Sequence, residues 1–179
     1  MDVAAQVVEF WKEAGPAKWF ARDDAFDAQF RQLFLDEHFA AASRAREHWL
    51  GSAEGALALM LLLDQFPRNC FRGTAHSYAT DGLARHYATR AIEEGLDLQL
   101  VPKLRAFIYL PFEHSEDPLD QDRSVAMFDV LGDKEYLQYA ELHRDIIRRF
   151  GRFPHRNAVV GRIPTPEELD YLAEGGFAG

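Results

Sequence analysis

The chain has 179 residues, 47% hydrophobic and 13% aromatic with 14 Phe, enough apolar matter for one full-sized core and too much for a disordered segment. Its formal charge of −9 argues against nucleic acid and anionic membranes as partners, because both require a cationic face. The single cysteine, Cys70, allows no internal disulfide and points to a reducing, cytoplasmic setting. No apolar run approaches the roughly 20 residues of a membrane-spanning helix, and the N-terminus lacks a basic, then apolar, leader.

Taken in chain order, Val3, Val7, Val8, Phe10 and Trp11 recur at helical spacing, and Gly15-Pro16 ends that helix. Asp23 or Asp24 caps a second helix with Phe26, Phe30, Leu33, Phe34 and Phe39 on one face. Ser52 precedes a third, apolar on all sides and therefore buried, which Pro67 is expected to stop. A fourth starts at Thr74 or Ser77 and closes at Gly95. A fifth runs from Pro102 to Tyr109 and stops at Pro111.

Asp117-Pro118 reads as an N-cap and first-turn proline for a sixth helix, with Val125, Phe128 and Leu131 inward and Gly132 as its stop. The seventh spans about Lys134–Phe150 and ends at Gly151. Thr165-Pro166-Glu167-Glu168 is a capping box opening a short last helix. Nothing alternates as a strand would. The prediction is one all-α domain over residues 1–179, of seven to eight helices in antiparallel hairpins.

One internal echo stands out. Phe66-Pro67-Arg68-Asn69 leaves the third helix, and Phe153-Pro154-His155-Arg156-Asn157 leaves the seventh. The two asparagines are expected to bond the backbone of their turns.

Charge is segregated. Between Ile146 and Pro166 lie Arg148, Arg149, Arg152, Arg156, Arg162 and His155 with no acid; between Glu113 and Asp122 lie five acids and His114 with no Lys or Arg. The 16 arginines against four lysines favour forked hydrogen bonds to carboxylates or phosphates. Asp64, at the end of a buried helix, requires an arginine, either Arg68 or one from Arg152–Arg162. The candidate ligand-binding set is Asp64, Arg68, Arg72, His114, Glu116, His143, Arg152, His155, Arg156 and Asn157. An enzyme reading uses His114 or His155 with Glu116 as a proton shuttle, and arginines to steady negative charge. A purely structural reading lets all these groups satisfy one another. Ser115 reads as an N-cap. Phosphate-loop, dinucleotide, zincin and nucleophile-elbow signatures are missing, so no cofactor and no metal is expected.

The longest motifs are Leu63-Asp64-Gln65-Phe66-Pro67-Arg68-Asn69 with Arg72-Gly73; Tyr109-Leu110-Pro111-Phe112-Glu113-His114-Ser115-Glu116-Asp117 with Gln121; and Arg149-Phe150-Gly151-Arg152-Phe153-Pro154-His155-Arg156-Asn157 with Gly161-Arg162 and Thr165-Pro166-Glu167-Glu168. Together they resemble the domain-of-unknown-function 924 family of bacterial proteins, over nearly the whole chain. The resemblance implies an all-α fold similar to tetratricopeptide-repeat proteins and no assigned activity, so it carries over no catalytic residue. The function expected is binding of an anionic small molecule or a peptide carboxylate.

Overall fold

The computed structural model describes residues 2–179. Among them helix follows helix and no strand occurs, as predicted. The residues fall into two compact units. The first comprises the chain up to Arg72 together with His76–Pro111; the second comprises Gly73–Ala75 with Phe112–Gly179.

In the first unit, α1 (Val3–Ala14) and α2 (Pro16–Trp19) precede α3 (Asp24–Ala42). Asp23 caps α3, accepting from the N–H groups of Ala25 and Phe26. Phe26, Phe30 and Phe34 of α3 are buried, whereas Leu33 and Phe39, expected on the same face, are 53% and 48% exposed. The helical period explains Phe39, which lies on the side of α3 away from the row 26, 30 and 34; Leu33, seven residues after Phe26, flanks that row at its exposed edge. Phe10, Trp11, Trp19, Phe26 and Phe30 stack with centroids 5–7 Å apart, a geometry that adds to area burial.

The buried helix is α4 (Ala53–Met60), continued by a π-helical segment, Leu61–Gln65, into α5 (Phe66–Cys70). Every residue from Gly55 to Pro67 is buried. Gly55 is required where α4 meets the turn Glu47–Gly51, because a Cβ there would lie 2.1 Å from the Trp49 carbonyl oxygen.

Pro67 does not stop this helix. A proline at that position has no N–H and crowds the carbonyl four residues back, Leu63. The π turn accommodates it: the Phe66 N–H bonds Leu61 O rather than Leu62 O. The carbonyls of Leu62 and Leu63 thus lose their ordinary helical donors. Side chains from elsewhere in the unit replace them. His38 Nδ1 donates to Leu62 O at 2.8 Å and Thr80 Oγ1 to Leu63 O at 2.5 Å. Thr74 and Ser77 do not open the next helix. A 3-10 turn, Ala75–Tyr78, intervenes, and α6 runs Asp81–Glu93.

Helix α7 (Pro102–Glu113) includes Pro111, the expected stop, and continues for two more residues. In the second unit α8 (Pro118–Leu131) and α9 (Lys134–Phe150) are joined through Gly132 and Asp133 and pack on each other as a hairpin. Asp117, not Ser115, caps α8, with its carboxylate accepting the Leu119 N–H. Gly151 ends α9 at φ 70°, a conformation that costs a residue with a Cβ roughly 1 kcal/mol or more. The capping box opens α10 (Pro166–Ala173) as predicted.

Thr80→Val keeps the shape of the side chain and removes the donor to Leu63 O. The expected loss is about 1–3 kcal/mol in urea unfolding, the cost of a buried carbonyl left without a partner.

Candidate functional site

The sequence candidates divide between the two units. Asp64, Arg68 and Arg72 belong to the first. Asp64 is fully buried; it takes Gln65 Nε2 at 2.7 Å and Arg68 Nη1 at 3.1 Å. Arg68 also forks onto both oxygens of Asp81 at 2.8 and 3.0 Å. The arginine expected for Asp64 is therefore Arg68. Arg72 Nε bonds Asp27 Oδ2 at 2.9 Å, and Asn69 Nδ2 bonds the other oxygen of Asp27 at 2.7 Å.

The same construction recurs in the second unit. Arg152 forks onto Glu168 at 2.5 and 2.7 Å, and Asn157 Nδ2 reaches Glu168 Oε2 at 3.1 Å. Glu168 is 2% exposed. The Arg152 bond, with the Thr165 N–H and Asn157, holds its carboxyl down at about 2. The echo between residues 66–69 and 153–157 thus has a physical content in its asparagines, each of which meets one buried carboxylate that an arginine outside the echo, Arg72 or Arg152, also meets; the echoed arginines differ, Arg68 pairing with Asp64 and Asp81 and Arg156 with His114 O. Asn69 and Asn157 bond these carboxylates through their amide nitrogens, where turn backbone was expected.

Glu116 faces Arg162, which forks onto it at 2.7 and 3.0 Å, and it accepts the Phe153 N–H at 2.8 Å. Burial raises its carboxyl, but Arg162 and the Phe153 N–H outweigh burial and keep it below the ordinary range. Arg148 pairs with Asp122 at 2.8 Å and Arg149 with Glu167 at 2.9 Å. Ser115 Oγ donates to Asp120 at 2.6 Å. Gln121, fully buried, donates to the carbonyls of Glu113 and Ser115 at 2.5 and 2.7 Å and so shapes the 113–117 loop.

What remains at the centre is a histidine cluster. His143, on α9, is 5% exposed. Its Nδ1 donates to Tyr139 O at 2.8 Å and lies 3.5 Å from Glu113 Oε1. The His114 ring is 6.3 Å away between centroids. Phe177 packs on His143 at 4.6 Å and on His155 at 5.3 Å. Arg156 Nη2 bonds His114 O at 3.0 Å, and its guanidinium lies 4.4 Å from the centre of the Phe153 ring. Burial, then the charges of His114, Arg156 and His155, push His143 down to about 3. It is a neutral imidazole between basic groups and the Glu113 carboxylate, with Nδ1 protonated by its bond to the carbonyl.

The family model for bacterial proteins of unknown function designated DUF924 matches residues 7–176. The chain belongs to this family. Among solved structures, the chain is similar to a protein of unknown function from Agrobacterium tumefaciens, 58% identical, covering 97% of this chain and 98% of its own, with a TM-score of 0.94. No curated protein matches the chain.

Two features of this DUF924 chain were not anticipated. His38 and His76 meet in the first unit, where no motif marks them; the signal was the proline that leaves Leu62 O needing a donor. A surface pocket of about 350 Å³ is lined by Asp2, His48, Trp49, Ser52 and Glu54. Its carboxylates, Asp2 and Glu54, are the wrong sign for an anion. Among the described residues no three His, Cys, Asp or Glu side chains converge as a metal-ligand set.

A histidine whose folded value is depressed favours the folded state fully above its unfolded value, about 6.5, and loses that contribution as pH falls below it. His143→Asn preserves a donor near the Nδ1 position and removes the titration. Urea unfolding between about pH 6.5 and 5 should therefore show a shallower decline for the variant, by up to about 1.4 kcal/mol per pH unit.

Proposed function

We propose that this protein is a binding protein whose second unit takes an anionic small molecule or a peptide carboxylate beside His143. The observation that supports this reading is a buried neutral imidazole beside His114, His155 and Arg156, all of which lower its proton affinity, with the Glu113 carboxylate 3.5 Å from its Nδ1 on the other side of the balance. An incoming carboxylate or phosphate oxygen reverses that effect. It favours protonation of His143 and meets the N–H donors around it.

Within this reading His114, His155 and Arg156 are the contacting groups. Arg152, Asn157, Glu116 and Arg162 fix the loops that carry them. Asp64, Arg68 and Arg72 serve the scaffold of the first unit, a helical-hairpin framework read as tetratricopeptide-repeat-like. The reading places the protein in the cytoplasm and gives it no nucleic-acid partner. It agrees with a net charge of −9 and with helices too short or too polar to cross a membrane among the described residues.

The test is thermal unfolding with phosphate, citrate and a short peptide bearing a free carboxylate. A ligand at about 100 times its Kd stabilises by about 2.7 kcal/mol, so one of the three should raise the Tm by several degrees. Arg156→Gln and His114→Ala should abolish the rise. Calorimetry near neutral pH in buffers of different ionisation enthalpy should record proton uptake on binding. No rise with any ligand, or a rise that survives both substitutions, contradicts the proposal.

A further inference from the structure

We propose that His38 and His76 form a binding site for one divalent first-row d-block cation, with both Nε2 atoms as ligands and water completing the coordination. The two Nε2 atoms face each other at 2.8 Å. The rings are crossed at 74° with centroids 5.1 Å apart. His38 is fully buried, while His76 is half-buried and supplies the open side on which waters can sit.

The buried ligand is already oriented as metal-binding imidazoles are. Such rings donate their other N–H to a carbonyl or carboxylate, which fixes the tautomer and aims the free lone pair. His38 Nδ1 does this with Leu62 O at 2.8 Å. That carbonyl is available because the π turn moves the Phe66 N–H to Leu61 O and because Pro67 has no N–H. His38 Nε2 therefore carries a lone pair, and His76 Nε2–H donates to it. The aromatic wall of Phe39, Phe66 and Phe71 keeps the imidazole in place, with centroids 4.9–5.8 Å from His38.

The change needed to admit a cation is small. His76 moves its proton from Nε2 to Nδ1, so the pair releases no net proton when both rings are neutral. Metal–nitrogen bonds of about 2.0–2.1 Å at a tetrahedral angle separate the two nitrogens by about 3.3 Å, so the present contact opens by roughly half an ångström. Imidazole suits copper, nickel and zinc, and affinity should rise toward copper. Arg31 opposes the cation. Its guanidinium lies 4.6 Å from the centre of the Phe71 ring and bonds Cys70 O at 3.0 Å, and its charge already disfavours protonated His38. Two protein ligands beside a cationic neighbour make a micromolar site rather than a permanent one.

The experiment titrates the full chain with ZnCl2, NiCl2 and CuCl2 by calorimetry, near neutral pH, and counts imidazole nitrogens on bound Cu²⁺ by pulsed electron paramagnetic resonance. The expected result is one equivalent and two imidazoles. His76→Ala should weaken binding about tenfold or more, and His38→Asn should do the same while keeping a donor for Leu62 O. Arg31→Gln should tighten it. His86→Ala, at an exposed histidine of α6, should change nothing. Absence of binding overturns the proposal, as does affinity that follows His86 rather than His76. Should His76→Ala fail to fold, the count on the unmodified protein decides: two imidazoles support the site and fewer overturn it.

Discussion

Carboxylates out of reach of water constrain this structure more than any other feature. Asp27, Asp64, Asp81, Asp97, Glu113 and Glu168 are each less than a tenth exposed. A buried carboxylate is tolerated only where donors replace its hydration. The donors to Asp27 are Asn69 and Arg72; those to Glu168 are Asn157 and Arg152. Asp64 and Asp81 share Arg68, and Asp97 receives the Tyr109 hydroxyl at 2.7 Å. The end of α5 and the segments after α5 and α9 are where they are because these acids require their side chains.

A second constraint works on carbonyls. Pro67 is compatible with a continuous helix only through the π turn, and the turn leaves Leu62 O and Leu63 O to be met by His38 and Thr80. Each unit thus contains a deeply buried histidine pinned at Nδ1 by a main-chain oxygen: His38 on Leu62 O and His143 on Tyr139 O. In both, burial is the first cause of a depressed proton affinity. Both rings are held neutral and oriented, and His38 turns its Nε2 onto His76. That state suits a ligand-binding group better than a surface ion.

Much of this was legible in the sequence. The caps at Asp23, Asp117 and Thr165 and the stops at Gly132 and Gly151 depend on neighbours within one helical turn, so the chain declares them locally. The pairing of Asp64 with an arginine followed from the cost of a lone buried charge. Pro67 and Pro111 misled, because whether a proline ends a helix depends on what meets the released carbonyls, and His38 and Thr80 lie far away in sequence. The roles of Asn69 and Asn157 were hidden for the same reason: Asp27 is 42 residues from Asn69. The arginine block from Arg148 to Arg162 read either as an ion-pair network with the acids of 113–122 or as open to an anion; Arg148 and Arg162 pair with Asp122 and Glu116 as the first reading has it, and Arg149 and Arg152 pair with Glu167 and Glu168.

The most direct test is a double-mutant cycle on Asp27 and Asn69, both buried and joined at 2.7 Å. If the end of α5 is held by a buried carboxylate, Asp27→Ala and Asn69→Ala should each destabilise the protein, and urea unfolding of the double variant should reveal a coupling of about 1–3 kcal/mol. Additivity within about 0.5 kcal/mol would contradict the account, because it would mean that the acid and the end of the helix are stabilised independently.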